Sequence, residues 1–373
     1  MAKTDRYMLS QLFMLFGFFS LVLVALFWIN RAVVLFDRLI GDGQSALVFL
    51  EFTALGLPRL ITTVLPIATF AAAVYVTNRM SSESELTVMK ATGTSPWRMA
   101  RPVLLFGVSV AVMMSVLTHL LVPLAQAELN KRESEISQNI SATLLREGQF
   151  LHPVANVTFY TREIGEDGVL RDVFLSDRRN PDEGVIYTAA QAYLVRSGTS
   201  TTLIMVDGLA QRLAQNDTRL ATANFRDFSF DISSLVSGVT GTELIIANLI
   251  TPRLLGDWAA LQAASGESRG AIAEELHSRF VKPLFCVAAA LVGFSTLLIA
   301  SYSRFGVWRE IGIAFALLIA LDGMRGSLIS VVRVDATLWP VLYSPVLLGL
   351  LLGGLMLWIS ATPGLFRYRR RAV

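Results

Sequence analysis

Six apolar runs, each long enough to cross a lipid bilayer, constrain this 373-residue chain more than any other feature. A helix needs about 20 predominantly apolar residues to traverse the hydrocarbon core, where no water is present to satisfy an open backbone group. The runs lie at about 9–36, 46–77, 97–127, 280–302, 308–330 and 339–361. The second contains Pro58 and Pro66, which predict a kinked or tilted helix. The first follows a charged N-terminus, but it is too long for a signal-peptide core and has no small-residue cleavage site, so it is expected to remain as a span. Charged residues make up 16% of the sequence, against about a quarter in a soluble domain, as expected of a chain largely in lipid. The formal charge of +3 is too small to argue for nucleic acid.

Lysine and arginine placement predicts the orientation. With the N-terminus in the cytoplasm, Lys3, Arg6, Arg79, Lys90, Arg98, Arg101, Arg304, Arg309, Arg367, Arg369, Arg370 and Arg371 all fall inside. The two short outer loops, near 37–45 and 332–338, hold only Arg38 and Arg333. Both termini are therefore expected in the cytoplasm, and the long segment between the third and fourth runs outside.

That segment, about 138–265, alternates as β-strands do: 157–161, 169–175, 185–194, 201–206 and 225–232. Turn residues separate the runs at Gly165–Gly168, Asn180–Asp182, Ser197-Gly198, Asp207-Gly208 and Asn216-Asp217. Short strands at this spacing predict a sandwich or jellyroll with two apolar inner faces. The expected fold class is an α-helical membrane protein with six transmembrane helices and an all-β, jellyroll-like domain inserted between spans three and four. Its parts are 1–137, with a short helix at about 82–93; 138–265, the β domain; and 266–373, with three spans and a basic tail.

Little in the chain promises catalysis. There is no Gly-x-x-x-x-Gly-Lys-Ser/Thr phosphate loop, so ATP binding of that type is excluded. His119, His152 and His277 are far apart and lack partners at metal-ligand spacing, so neither a metal site nor a catalytic residue is assigned. The single cysteine, Cys286, lies in an apolar run and is read as packing.

Two polar constellations remain. The first is the charged interruption Ser81 to Gly93, between the second and third runs. Ser82 with Glu85 reads as a capping box and Gly93 as a C′ residue, which predicts a short helix on the cytoplasmic side. Glu83 and Glu85 suit its positive end and can face a basic groove on a partner. The plain alternative is an amphipathic loop helix resting at the interface. The second constellation is basic: Arg31, Arg59 and Arg325 lie within the outer halves of spans, and Arg38, Arg279, Lys282 and Arg333 lie at the outer interface. A charge within a span costs a few kcal/mol, which makes such residues functional candidates. Asp322 and Arg325 are three apart and can pair on one helix face. Arg31, Arg59, Lys282 and Arg325 are the candidates for holding an anionic, phosphate-bearing lipid, since guanidinium binds phosphate as a fork. Arg38 and Arg333 are read as snorkelling to headgroups or pairing internally.

The run Ser84-Glu85-Leu86-Thr87-Val88-Met89-Lys90-Ala91-Thr92-Gly93-Thr94-Ser95 resembles the signature of the lipopolysaccharide-export permeases, the LptF/LptG (YjgP/YjgQ) family. Asp5-Arg6-Tyr7, Leu57-Pro58, Leu65-Pro66, Glu147-Gly148-Gln149-Phe150, Glu275-Leu276-His277-Ser278-Arg279 and Pro283-Leu284 extend the resemblance over essentially the whole chain. Asn30-Arg31-Ala32-Val33 and the Glu147–Phe150 run are more similar to the LptF branch. Lys90 stands where Arg or His is common, and keeps the positive charge.

The resemblance implies a permease subunit of an ABC transporter in the inner membrane, with its β-jellyroll in the periplasm. It implies a paralogous LptG, an LptB ATPase dimer that binds the ATP and Mg, LptC, periplasmic LptA, and lipopolysaccharide as cargo. No cofactor is implied for this chain. Glu85 matches the motif position facing the ATPase, and Glu83, Leu86, Met89 and Lys90 share its helix as coupling candidates. Arg31 matches a basic position near the top of span one that faces the lipid. Two other readings stay open: a different ABC-type permease, for lipoprotein release or efflux, and a non-transporting receptor with an outer sensing domain. The first typically has four spans with its large domain after the first, and the second needs no capped cytoplasmic helix.

Overall fold

The computed structural model describes residues 3–41, 45–140, 147–152, 156–165, 168–179, 183–197, 200–214, 220–231, 244–299 and 308–362. Contacts divide the chain into two units, Met1–Leu129 with Leu244–Val373, and Asn130–Glu243.

The first unit is helical. It holds α1 (Lys3–Gly41), α2 (Ala46–Ser82), the short α3 (Glu85–Ala91) and α4 (Pro96–Val116), which runs through a π turn at Leu117–Leu121 into α5 (Val122–Ile140), counted with the second unit from Asn130 on. Then follow α6 (Thr251–Leu254), α7 (Trp258–Ser265), α8 (Arg269–Ile299), α9 (Trp308–Val334), a 3-10 stretch at Ala336–Tyr343, and α10 (Ser344–Ala361). Six stretches are long and apolar enough to cross a membrane: Lys3–Asp37, Ala46–Ser82, Pro96–Glu133, Arg269–Ile299, Trp308–Val334 and Ala336–Ala361. The six apolar runs lie in these helices, apart from 300–302, which fall outside the described residues. α2 is one helix of 37 residues with Pro58 and Pro66 inside it. α8 starts before its apolar run, because the Ser268 hydroxyl accepts the Ala271 N–H at 3.1 Å and caps the first turn.

α8 is the hub of this unit and packs on α2, α4, α9 and α10. Ala288, Ala289, Ala290 and Gly293 are buried, and such small side chains let neighbouring backbones approach closely. α1 and α9 instead leave Leu21, Leu26, Phe315 and Ile319 exposed.

The second unit contains β1 (Val157–Ile164), β2 (Leu170–Asp177), β3 (Glu183–Ser197), β4 (Ser200–Ala214) and β5 (Leu220–Asp231). They form a single antiparallel sheet in the order β1-β2-β3-β4-β5. Every expected strand is present. The two-sheet sandwich is not, among the described residues, because short connections pair each strand with its neighbour in sequence. The turns expected at Asn180–Asp182, Ser197-Gly198 and Asn216-Asp217 lie wholly or partly outside the described residues.

Asp207-Gly208 is not a turn; β4 continues through it. It belongs to a row that the ladder steps over in all four strand pairs: Arg162 with Asp172, Asp172 with Ala190, Ala190 with Asp207, and Asp207 with Arg226. Asp172 and Asp207 both adopt the left-handed region, at φ 49° and 50°. Two successive side chains point outward at this row. Arg171 and Asp172 are exposed between buried Leu170 and Val173, and Ala190 and Gln191 are exposed between buried Ala189 and Ala192. The inward alternation therefore shifts by one residue in every strand together. Val157, Phe159 and Leu175 from one side of this crease join Leu170, Leu203 and Met205 from the other in a single core, so one creased sheet supplies both walls. Arg162 pairs with Asp172 across it at 3.2 Å.

Aspartate tolerates positive φ better than a β-branched residue does. Asp207→Val is expected to lower stability by about 1–2 kcal/mol and Asp207→Gly to leave it unchanged or slightly raised, which thermal unfolding of the two variants checks.

The motif Glu147 to Phe150 covers the β1 edge. Gly148 N–H donates to the Thr161 carbonyl at 2.9 Å, Leu151 bridges Phe159, and the Glu147 carboxylate accepts the Ile164 N–H at 2.8 Å. An otherwise open edge is thereby closed.

Candidate functional site

Three helices bring charge to one cavity of about 610 Å³. α2 contributes Arg59; α8 contributes Glu275, Arg279, Lys282 and Phe285; α9 contributes Asp322 and Arg325. The remaining wall is largely apolar, including Ile67, Met114, Phe315, Leu318 and Ile319. Arg59 Nη1 donates to Gln126 Oε1 at 3.2 Å. Arg325 binds Asp322 Oδ1 through Nε at 3.1 Å and Nη2 at 2.6 Å, the pairing expected at that spacing, and its guanidinium lies 5.5 Å from the Phe285 ring centroid. The Lys282 ammonium has no hydrogen-bond or ion-pair partner among the described residues. Four cations face two carboxylates here, and both carboxylates are already paired with arginines. Such a site favours a multivalent anion with apolar substituents.

Of the four candidates for lipid binding, the structure gathers Arg59, Lys282 and Arg325 and leaves Arg31 apart. Arg31 lies against Gly56 of α2, whose missing Cβ would stand 3.4 Å from the guanidinium, in a small hollow with Trp28, Leu57 and Leu60.

Arg279 behaves differently from the interfacial residue expected. Its side chain is 3% exposed and donates to Glu275 Oε1 at 2.8 Å, the Leu249 carbonyl at 2.6 Å, the Ala247 carbonyl at 3.3 Å and Thr251 Oγ1 at 3.3 Å. Thr118, turned inward by the π segment, donates to the Arg279 carbonyl at 3.1 Å, and His119 Nδ1 meets Thr251 Oγ1 at 2.8 Å. One buried guanidinium thus fastens the 246–251 segment onto α8, and His119 ties Thr251 to the π turn. The i, i+4 spacing of Glu275 and Arg279 was the only sequence signal for it. Arg333 pairs with Glu274 at 3.1 Å, the internal pairing considered for it.

The short helix is smaller than expected. Ser82 ends α2, and its hydroxyl donates to the Arg79 carbonyl at 2.8 Å, so it forms no capping box. Ser84, at φ 62°, makes the break, and α3 covers Glu85–Ala91. The C-terminal signal holds: Gly93 has φ +82°, its N–H donates to Lys90 O at 3.1 Å, and Thr94 N–H donates to Met89 O at 3.1 Å. This is the paired bonding of a Schellman motif. Leu86 is 4% exposed, in a core with Met8, Leu12, Met80 and Met99, and Met89 packs against that core. Lys90 stays exposed as a residue, but its Nζ donates to the Leu298 carbonyl at 3.0 Å. Partial desolvation of the ammonium holds its pKa below the ordinary lysine value. Glu83 pairs with Arg79 at 3.0 Å, and Glu85 accepts from the Tyr7 hydroxyl at 3.5 Å. Thr87 and Val88 are left on the exposed face, Val88 at 61%.

Comparison with known proteins decides what these features belong to. The model of the lipopolysaccharide export system permease LptF/LptG matches residues 6–361. The chain belongs to the LptF/LptG family. An uncharacterized protein of Rickettsia prowazekii (strain Madrid E), RP871, is 22% identical over 315 residues, 80% of this chain and 82% of that protein. The lipopolysaccharide export system permease protein LptF of Escherichia coli K12 is 26% identical over 172 residues, which span 46% of this chain and 45% of the E. coli protein. LptF of Shigella flexneri matches over the same extent. LptF/LptG proteins are export permeases and not catalysts, and the six apolar helices suit a multi-pass protein of the inner membrane.

Proposed function

We propose that this chain is an LptF-type permease subunit that extracts lipopolysaccharide from the periplasmic leaflet and passes it toward a periplasmic bridge. The observation that carries this reading is the cavity in which the unpaired Lys282 ammonium sits with Arg59 and Arg325 above apolar walls. Phosphate groups on the lipid headgroup satisfy the cations, and the acyl chains take the apolar side. Both termini and α3 lie in the cytoplasm, and the β unit lies in the periplasm, where its apolar core side receives acyl chains that are costly to expose to water. LptG completes the cavity, LptC and LptA continue the route, and an LptB dimer supplies work by closing on ATP and Mg. The exposed Thr87 and Val88 face of α3, flanked by Glu83 and Glu85, is the surface offered to that ATPase.

A photoreactive residue at Ile319, on the cavity wall, tests the reading in cells. Lipopolysaccharide is expected to crosslink there, and Lys282→Gln to reduce the yield roughly tenfold or more, the loss of one charge-assisted hydrogen bond. Arg31→Ala, outside the cavity, is expected to reduce it far less. Unchanged crosslinking in Lys282→Gln overturns the assignment of the cavity.

A further inference from the structure

We propose that Lys90 is a positioning residue that ties α3 to α8, handing displacement of the short helix directly to the helix that walls the cationic cavity. This role rests on the reading of the chain as a transporter subunit driven through α3.

The bond from Lys90 Nζ to Leu298 O joins residues 208 apart in sequence, in the last described turn of α8. At its other end α3 is held by Tyr7 of α1, through Glu85, and lies next to the Arg79–Glu83 pair that closes α2. The helix is therefore pinned at its start to the first two spans and near its end to α8.

α8 can transmit what it receives. It is continuous from Leu298 back to Glu275, and its buried face packs on α2, α4, α9 and α10. Lys282 lies 16 residues before Leu298, about 24 Å along the helix at 1.5 Å per residue. Phe285, Lys282, Arg279 and Glu275 all line the cavity from this one helix, which carries Pro283 beside Lys282. Pulling on Leu298 shifts the α8 wall against Arg59 of α2 and Arg325 of α9. The lever thus acts on the cavity through α8, in addition to the two spans that flank it in sequence. The Lys90 ammonium is engaged by α8, although the residue as a whole stays exposed.

The test uses the complete transporter in vesicles loaded with lipopolysaccharide, measuring ATP hydrolysis and lipid transfer together. Lys90→Met keeps the apolar stem and removes the donor. It is expected to retain its ATPase subunits, melting temperature and hydrolysis rate while lipid moved per ATP falls roughly tenfold. Lys90→Arg is expected to restore most of the transfer. A residue needed only for folding would lower stability and both rates together. Normal transfer per ATP in Lys90→Met overturns the tether. Loss of the ATPase subunits from Lys90→Met also overturns it, by moving Lys90 onto the docking surface. A wild-type chain that captures no ATPase overturns the transporter-subunit reading itself, and this role with it.

Discussion

Arg279→Ala is expected to destabilise the helical unit by about 3–5 kcal/mol, the cost of breaking a buried charge pair and stranding its partners. The alanine leaves Glu275 without its cation and the Leu249 and Ala247 carbonyls without donors, in a place where the native side chain is almost fully enclosed. Unfolding of the detergent-solubilised protein should shift down on the order of 10 °C. Arg279→Lys should recover only part of this. An ammonium keeps the charge, but it lacks the fork that reaches Glu275, Leu249 and Ala247 from one plane. An unchanged melting temperature in Arg279→Ala would mean that the 246–251 segment is held by its apolar contacts alone, those of Ile246, Leu249 and Leu254 with Ile272 and Leu276.

Gly208→Val is expected to cost about 3 kcal/mol and to open the sheet at its crease. A Cβ at Gly208 would run into the Phe225 ring and the Thr188 carbonyl. The carbonyl is backbone and cannot rotate away, and Phe225 packs on Phe228 at 5.3 Å, so neither neighbour yields without loss. Amide exchange should accelerate across β3, β4 and β5 at residues 187–192, 203–209 and 225–230. If protection in these strands matches that of the wild type, the close approach at Gly208 is not required.

Gly208 also marks where reading the chain in one dimension misleads. Asp-Gly is a strong turn signal, and at Asp207-Gly208 it stands between two alternating runs. The signal concerns φ, and φ is indeed positive at Asp207, but the strand bends there and goes on. What distinguishes the bend from a turn is its alignment with Asp172, two strands away, and that depends on register. Ser82 shows the same limit on a helix. Its spacing to Glu85 fits a capping box, yet α2 keeps its own hydrogen bonds through Ser82, and the break falls at Ser84 instead.

The candidate site divides in the same way. Arg59 and Arg325 were visible as charges misplaced in apolar runs, and Lys282 as a cation at the outer interface, because that cost is local and needs no structure to be recognised. Arg31 carried the same signal but turned out to lie elsewhere, since depth along a helix does not say which way the helix faces. The bond from Lys90 to α8 and the enclosure of Arg279 depend on neighbours 208 and about 30 residues away.

Hydropathy was enough to establish six membrane-length helices, their order, and a β segment between the third and fourth, because each is set by residues close in sequence: apolar length for a span, alternation for a strand. Folding in three dimensions was needed for the convergence of four cations on one cavity, the crease that lets a single sheet enclose a core, and the tie from α3 to α8. Those features arise from packing and register between distant segments, and the energies that select them act through space and not along the chain.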